Sequence, residues 1–202
     1  MKQTPEKACK KSVGLFFGSF NPIHNGHLML ANFMLEFGPL SEIWFVVSPH
    51  NPLKDKKSLL HAHDRYDMVS AAIEHYSRFK TCDIEFHMPQ PSYTIDTLTR
   101  LSERHPENQF YLLCGTDTLA GFRKWKNYEQ ILQFYRLLVY PRHGASGGEF
   151  ATHPSVEMIN APVIEVSSSF IREAIIAGKD MRFFLPPEVF RMIDQKGFYR
   201  SI

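Results

Sequence analysis

Short apolar runs alternate with longer amphipathic ones along the chain, and turn residues separate them. Residues 13–17 form a β-prone apolar run closed by Gly18, and residues 27–37 follow as a helix that stops at Gly38 and Pro39. A second buried strand is expected over 43–47. The loop 48–57 follows, in which Pro49 and Pro52 forbid regular structure. The alternation continues with a helix at 61–76, a strand at 81–86, a helix at 93–103, and strands at 110–114 and 137–140. A last strand near 163–166 leads into a helix over 169–177. Three glycines and a proline make 144–154 the best candidate for a mobile surface loop.

Strands that alternate with helices are joined by right-handed crossovers, which predicts an α/β fold. We expect a single Rossmann-like domain, a mostly parallel sheet with helices on both faces. In such sheets ligands bind beyond the carboxyl ends of the strands. Gly18, the loop from Ser48, Gly115 and Ser167 should therefore converge on one crevice. The 202 residues suit one domain, placed at 12–202, large enough to bury roughly 70% of its unfolded surface. Residues 1–11 read as a flexible N-terminal extension.

Charge and cysteine usage narrow the function classes. The 23 basic and 21 acidic residues are interspersed, leaving no basic stripe to track a nucleic-acid backbone, so nucleic acid is not an expected partner. The nearest basic cluster is Lys54, Lys56 and Lys57, which suits one small anion. Cys9, Cys82 and Cys114 are odd in number and lack C-x-x-C spacing, which argues for a reducing compartment. No run approaches the ~20 apolar residues of a membrane span, and the leading residues lack the apolar core of a secretion signal. A cytoplasmic location without a membrane partner is expected. His61 and His63 have no partner at zinc-site spacing, so no protein-held metal is expected.

The richest stretch runs Gly18-Ser19-Phe20-Asn21-Pro22-Ile23-His24-Asn25-Gly26-His27, between the first strand and the first helix. Gly18 permits a sharp turn and brings backbone N–H groups close to a ligand, and the helix start near His27 aims its positive dipole end at the same place. His24 and His27 flank Gly26, so both imidazoles can face a phosphate with no bulk between them. Charged or hydrogen-bonding histidines there would stabilise charge building on an α-phosphate and on departing pyrophosphate. The same residues also suit a plain strand-to-helix turn with two locally bonded histidines.

A second constellation, Val166-Ser167-Ser168-Ser169-Phe170-Ile171-Arg172, lies where a strand yields to a helix. One serine is accounted for as an N-cap; three are not. Arg172 falls in the expected first turn, where a cation opposes the helix dipole. That local cost suggests an outside anion, with Ser168, Ser169 and Arg172 holding a triphosphate opposite the two histidines. A buried structural ion pair is the alternative for Arg172.

Together, a G-x-F-x-P-x-H-x-G-H opening and a late S-S-x-x-I-R resemble the nucleotidyltransferase superfamily. Four further stretches are similar to the bacterial nicotinate-nucleotide adenylyltransferases: Ser48-Pro49-His50-Asn51-Pro52-Leu53-Lys54; Pro91-Ser92-Tyr93-Thr94-Ile95-Asp96-Thr97-Leu98; Gly115-Thr116-Asp117 with Trp125 downstream; and the run from Gly178 to Pro186. The resemblance covers the chain from about Val13 onward. It implies that ATP meets Gly18, Ser19, Phe20, Gly26, Gly115, Asp117, Ser168 and Ser169, and that His24, His27 and Arg172 are catalytic. It also implies that Trp125 stacks on a pyridine ring, that N–H groups around Tyr93 and Thr94 read its carboxylate, and that Lys54 reaches phosphate. Taken singly, Trp125 could cover the core, Tyr93 pack a helix start, Asp117 cap a helix and Lys54 simply be solvated. Asn21 stands where family members often carry aspartate, and Leu53 where they carry histidine.

The activity implied is transfer of AMP from ATP to nicotinate mononucleotide, with magnesium accompanying the β- and γ-phosphates. ATP and nicotinate mononucleotide are the expected partners, and self-association is left open. Nicotinamide mononucleotide or phosphopantetheine are alternative acceptors, and a nucleotide-binding regulatory module is the non-enzymatic alternative.

Overall fold

A computed structural model describes residues 10–49 and 59–200. Its six strands form one all-parallel sheet of order β3-β2-β1-β4-β5-β6. The strands are β1 (Lys11–Gly18), β2 (Glu42–Val47), β3 (Phe79–Cys82), β4 (Asn108–Gly115), β5 (Arg136–Tyr140) and β6 (Val156–Met158). The helices are α1 (Asn25–Phe37), α2 (Ala62–Ile73), α3 (Thr94–Arg104), α4 (Thr116–Ala120), α5 (Tyr128–Phe134), α6 (Ser168–Ile176) and α7 (Pro187–Lys196). The expected extension falls almost wholly outside the described residues.

Strand periodicity builds two cores. Ile43, Phe45 and Val47 of β2 point to one face, with Leu113 and Leu138 from β4 and β5, under Met34 of α1, Met68 of α2, Ile171 of α6 and Val189 of α7. Trp44 and Val46 point to the other, with Leu112 and Val139, under Leu98 of α3 and Ile131 of α5. With both faces covered, β2 is buried along its whole length, which is why it reads as a continuous apolar run and not an alternating one.

Three expected elements are corrected. The strand expected at 81–86 is β3, shifted to Phe79–Cys82, followed by a one-turn helix, Ile84–His87. The chain leaves the ladder at Asp83 (φ −101°, ψ 12°) and delivers Ile84 to the second core instead. The strand expected near 163–166 is not in the sheet. β6 occupies that edge at Val156–Met158, and Ile164 and Val166 instead line a cavity. The edge of β5 is already taken, since Leu137–Val139 pair with Val156–Met158, and Val166 packs against the first core from outside the sheet. The expected mobile loop 144–154 contains a one-turn helix, Gly148–Thr152, pinned by Phe150 packed on Phe122 and Tyr128.

The strand order reverses between β1 and β4, whose neighbours run outward in opposite directions. That reversal opens a crevice beyond their carboxyl ends, at Gly18 and Gly115.

Candidate active site

At the crevice floor, Gly18 matters for space. A Cβ on it would lie 2.8 Å from the Phe20 ring, so close approach and not an unusual φ demands glycine. Phe20 is the strained residue, with φ 45°, a conformation costing on the order of 1–3 kcal/mol. Burial against Phe16, Phe45 and His27 holds it there, so Phe20 shapes the wall that the expected ATP contact would meet.

Helix α1 begins at Asn25, with His24 as its N-cap, two residues earlier than expected. His24 and His27 stack with ring centroids 3.7 Å apart, and the His24 backbone N–H donates to His27 Nδ1 at 3.3 Å. Gly26 makes this possible, since a Cβ there would sit 3.0 Å from His24 Nδ1. The His24 ring is buried, and its Nδ1 has no hydrogen-bond partner. Burial, and secondarily the nearby Arg142 cation, lower its pKa to about 4. Of the two forms open at the sequence level, the neutral imidazole is therefore the one present at neutral pH.

The opposite wall comes from α6. Ser167 caps it, accepting the Phe170 N–H at 3.2 Å. Ser168 Oγ donates to the Pro22 carbonyl at 2.9 Å, and Arg172 donates to the Asn21 carbonyl at 2.9 Å and to Ser169 Oγ at 3.3 Å. The three serines thus have separate tasks. Arg172 is the fifth helical residue, just past the first turn, so the dipole cost argued from sequence is smaller than expected. What defines its role is its reach across to the turn before α1. Gly18, Ser19, Gly26, His24, His27, Ser168, Ser169 and Arg172 line one cavity of about 600 Å³.

A second cavity, of about 490 Å³, is lined by Ser48, Glu85, Tyr93, Thr94, Lys124 and Trp125. Tyr93 is the N-cap of α3 and Thr94 its first residue, and no side chain caps that terminus. The Lys126 ammonium lies 4.5 Å from the Tyr93 ring centroid. Trp125 is half-buried, 5.1 Å from Phe122 between ring centroids. Gly18, Ser19, Asp117, Thr118 and Tyr140 line both cavities, so the two meet at the β1/β4 reversal. Gly115 lies beneath that junction, where a Cβ would come within 2.3 Å of Asp117 Oδ1. Asp117 is not a cap, a position Gly115 takes; it accepts the Thr118 N–H at 2.9 Å and lies 3.8 Å from Arg142 Nε. Lys54 lies outside the described residues.

Sequence reasoning missed three groups. Arg65 is completely buried and donates to the carbonyls of Ser19, Leu60, Ser48 and Pro49, the last two at 2.8 Å, tying the exits of β1 and β2 together. The available signal was an arginine on the buried face of α2, beside Met68 and Val69. Arg142, just past β5, adds a cation facing His24. Glu85 is a buried carboxyl in the second cavity.

A parallel sheet with its phosphate-suited cavity at the strand reversal defines a nucleotidyltransferase, and the cytidylyltransferase-like family matches residues 15–174. A protein of Flavobacterium johnsoniae named "Probable nicotinate-nucleotide adenylyltransferase" is 48% identical over 191 residues, 94% of this chain and 99% of that protein. One of the same name from Cytophaga hutchinsonii is 48% identical over 189 residues, 94% and 98% of the two chains. The Plasmodium falciparum nicotinic acid mononucleotide adenylyltransferase complexed with NaAD shares the fold, with a TM-score of 0.79 at 24% identity over 94% of this chain and 97% of its own. The chain belongs to the nicotinate-nucleotide adenylyltransferase family.

Proposed function

We infer that this chain joins ATP and nicotinate mononucleotide into nicotinate adenine dinucleotide, releasing pyrophosphate. The observation that carries the reading is the pair of cavities meeting at Gly18 and Asp117. One has the cations and hydroxyls a triphosphate needs; the other has an indole face and an uncapped helix start, which suit a planar ring bearing a carboxylate.

The chemistry is a direct displacement. A 5′-phosphate oxygen of the mononucleotide attacks the α-phosphorus of ATP, the new P–O bond forms as the bond to the β-phosphate bridge breaks, and pyrophosphate leaves with that electron pair. This chain's task is positioning and charge stabilisation. Neutral His24 offers hydrogen bonds without a desolvated charge, while Arg172 from α6 and Arg142 just past β5 supply positive charge to the same cavity. Magnesium would screen the β- and γ-phosphates. Among the described residues no group of three or more His, Cys, Asp or Glu could cage an ion, so the donor set fits a metal carried by substrate and water, with Asp117 at the rim.

Incubating the chain with ATP, magnesium and nicotinate mononucleotide should yield equimolar pyrophosphate and dinucleotide. Absence of both would refute the activity, and turnover only with nicotinamide mononucleotide or phosphopantetheine would reassign the acceptor. The reading places the chain in the cytoplasm. No described helix is long and apolar enough to cross a membrane.

A further inference from the structure

The second cavity contains a buried acid that the displacement does not use. Glu85 is 3% exposed, and its carboxyl draws hydrogen bonds from the hydroxyls of Thr97, Ser48 and Ser92, with no cation among these partners. Those hydroxyls come from α3, from the end of β2 and from the approach to Tyr93. A buried carboxyl held only by hydroxyls is costly unless it does something. Burial raises its pKa against the three hydroxyls.

Thr97 links this carboxyl to the acceptor wall. It is fully buried, and its Oγ1 lies 2.9 Å from Glu85 Oε1 and 3.3 Å from the Tyr93 carbonyl. The Thr97 backbone N–H donates to that same carbonyl at 3.1 Å. Thr97 thus donates its hydroxyl proton to Glu85 and its backbone N–H to the Tyr93 carbonyl, so the carboxyl fixes the residue that holds this peptide. Because a trans peptide is planar, a Tyr93 C=O held into the helix aims the Thr94 N–H the other way, out of the N-terminus of α3 into the cavity.

We propose that Glu85 is a positioning residue for the acceptor's carboxylate, acting through Thr97 to hold the Tyr93–Thr94 peptide with its N–H presented to the second cavity. This rests on the acceptor reading above and adds the residue that holds the N–H donor in place. A carboxylate gains from a fixed N–H donor more than a carboxamide does.

The test is steady-state kinetics of the full chain with ATP and either nicotinate or nicotinamide mononucleotide. Glu85→Ala should raise KM for the nicotinate form about 10-fold, the scale of a lost hydrogen bond to a charged group. KM for ATP and for the nicotinamide form should change less than about 3-fold, within the range of a neutral bond. Glu85→Gln, whose amide oxygen can still accept from the Thr97 hydroxyl, should restore the wild-type KM. If Glu85→Ala does not fold, Thr97→Val and Ser92→Ala interrupt the same contacts and should shift KM in the same selective direction. Equal shifts for all substrates, a change confined to kcat, or failure of Gln to rescue would overturn the role. A wild-type chain that makes no dinucleotide from nicotinate mononucleotide sinks the proposed function and this role with it. A wild-type chain that does, beside an unaltered Glu85→Ala, sinks this role alone.

Discussion

Acid should loosen this fold through one histidine. His24 has its pKa lowered from 6.5 to about 4, because charging a buried ring forfeits hydration and brings a second cation near Arg142. With the folded value below the unfolded one, the contribution to stability is complete above pH 6.5, is lost as pH falls toward 4, and levels off below that. The gap corresponds to about 3 kcal/mol in total, and to about 2.5 kcal/mol between pH 7.5 and pH 4.5. Urea unfolding at those two pH values, compared between the wild type and His24→Asn, isolates this term from the carboxylates that titrate in both. The variant should lose about 2.5 kcal/mol less than the wild type. Occupation of the first cavity by a triphosphate should reverse the shift, so a non-hydrolysable ATP analogue should bind with proton uptake near pH 5.5, read by calorimetry in buffers of different ionisation heat. A His24 ring that titrates near 6.5 by NMR in the free protein would refute the reasoning.

Arg172→Ala removes a rim cation and the tie from α6 to the Asn21 carbonyl; turnover should fall on the order of 10²-fold, and near-normal kcat would remove it from catalysis. Gly26→Ala places a methyl 3.0 Å from His24 Nδ1; displacing that ring by a few tenths of an ångström should cost about 10-fold in kcat/KM, with thermal stability nearly unchanged by scanning calorimetry. Arg65→Met strands the partly buried carbonyls of Ser19, Ser48 and Pro49, and should cost roughly 3 kcal/mol in chemical denaturation. A loss below about 1 kcal/mol would mean water reaches them.

Local chemistry made the first constellation readable. A helix start after a glycine turn is a short-range feature, so the placing of His24, Gly26 and His27 follows from neighbours in sequence, and the geometry differs only in starting α1 two residues earlier. Trp125 and the Tyr93-Thr94 pair were legible through resemblance alone, since nothing local distinguishes them from packing residues. Arg65, Arg142 and Glu85 escaped because their partners are backbone carbonyls, hydroxyls and a histidine brought close by other elements. No spacing along the chain announces such partners.

The alternation of apolar runs determined, without any tertiary information, that this chain is a parallel α/β sheet covered on both faces, because strand and helix periods are written in adjacent residues. Which segment takes the last edge was decided by pairing: Val156–Met158 fills the free edge of β5, while the 163–166 run lines the cleft with Val166 packed on the first core. The tertiary structure alone brought Arg172 to Asn21 and set His24 in its neutral form. Such contacts depend on desolvation and on distances between residues remote in the chain, quantities that exist only once the sheet has closed around them.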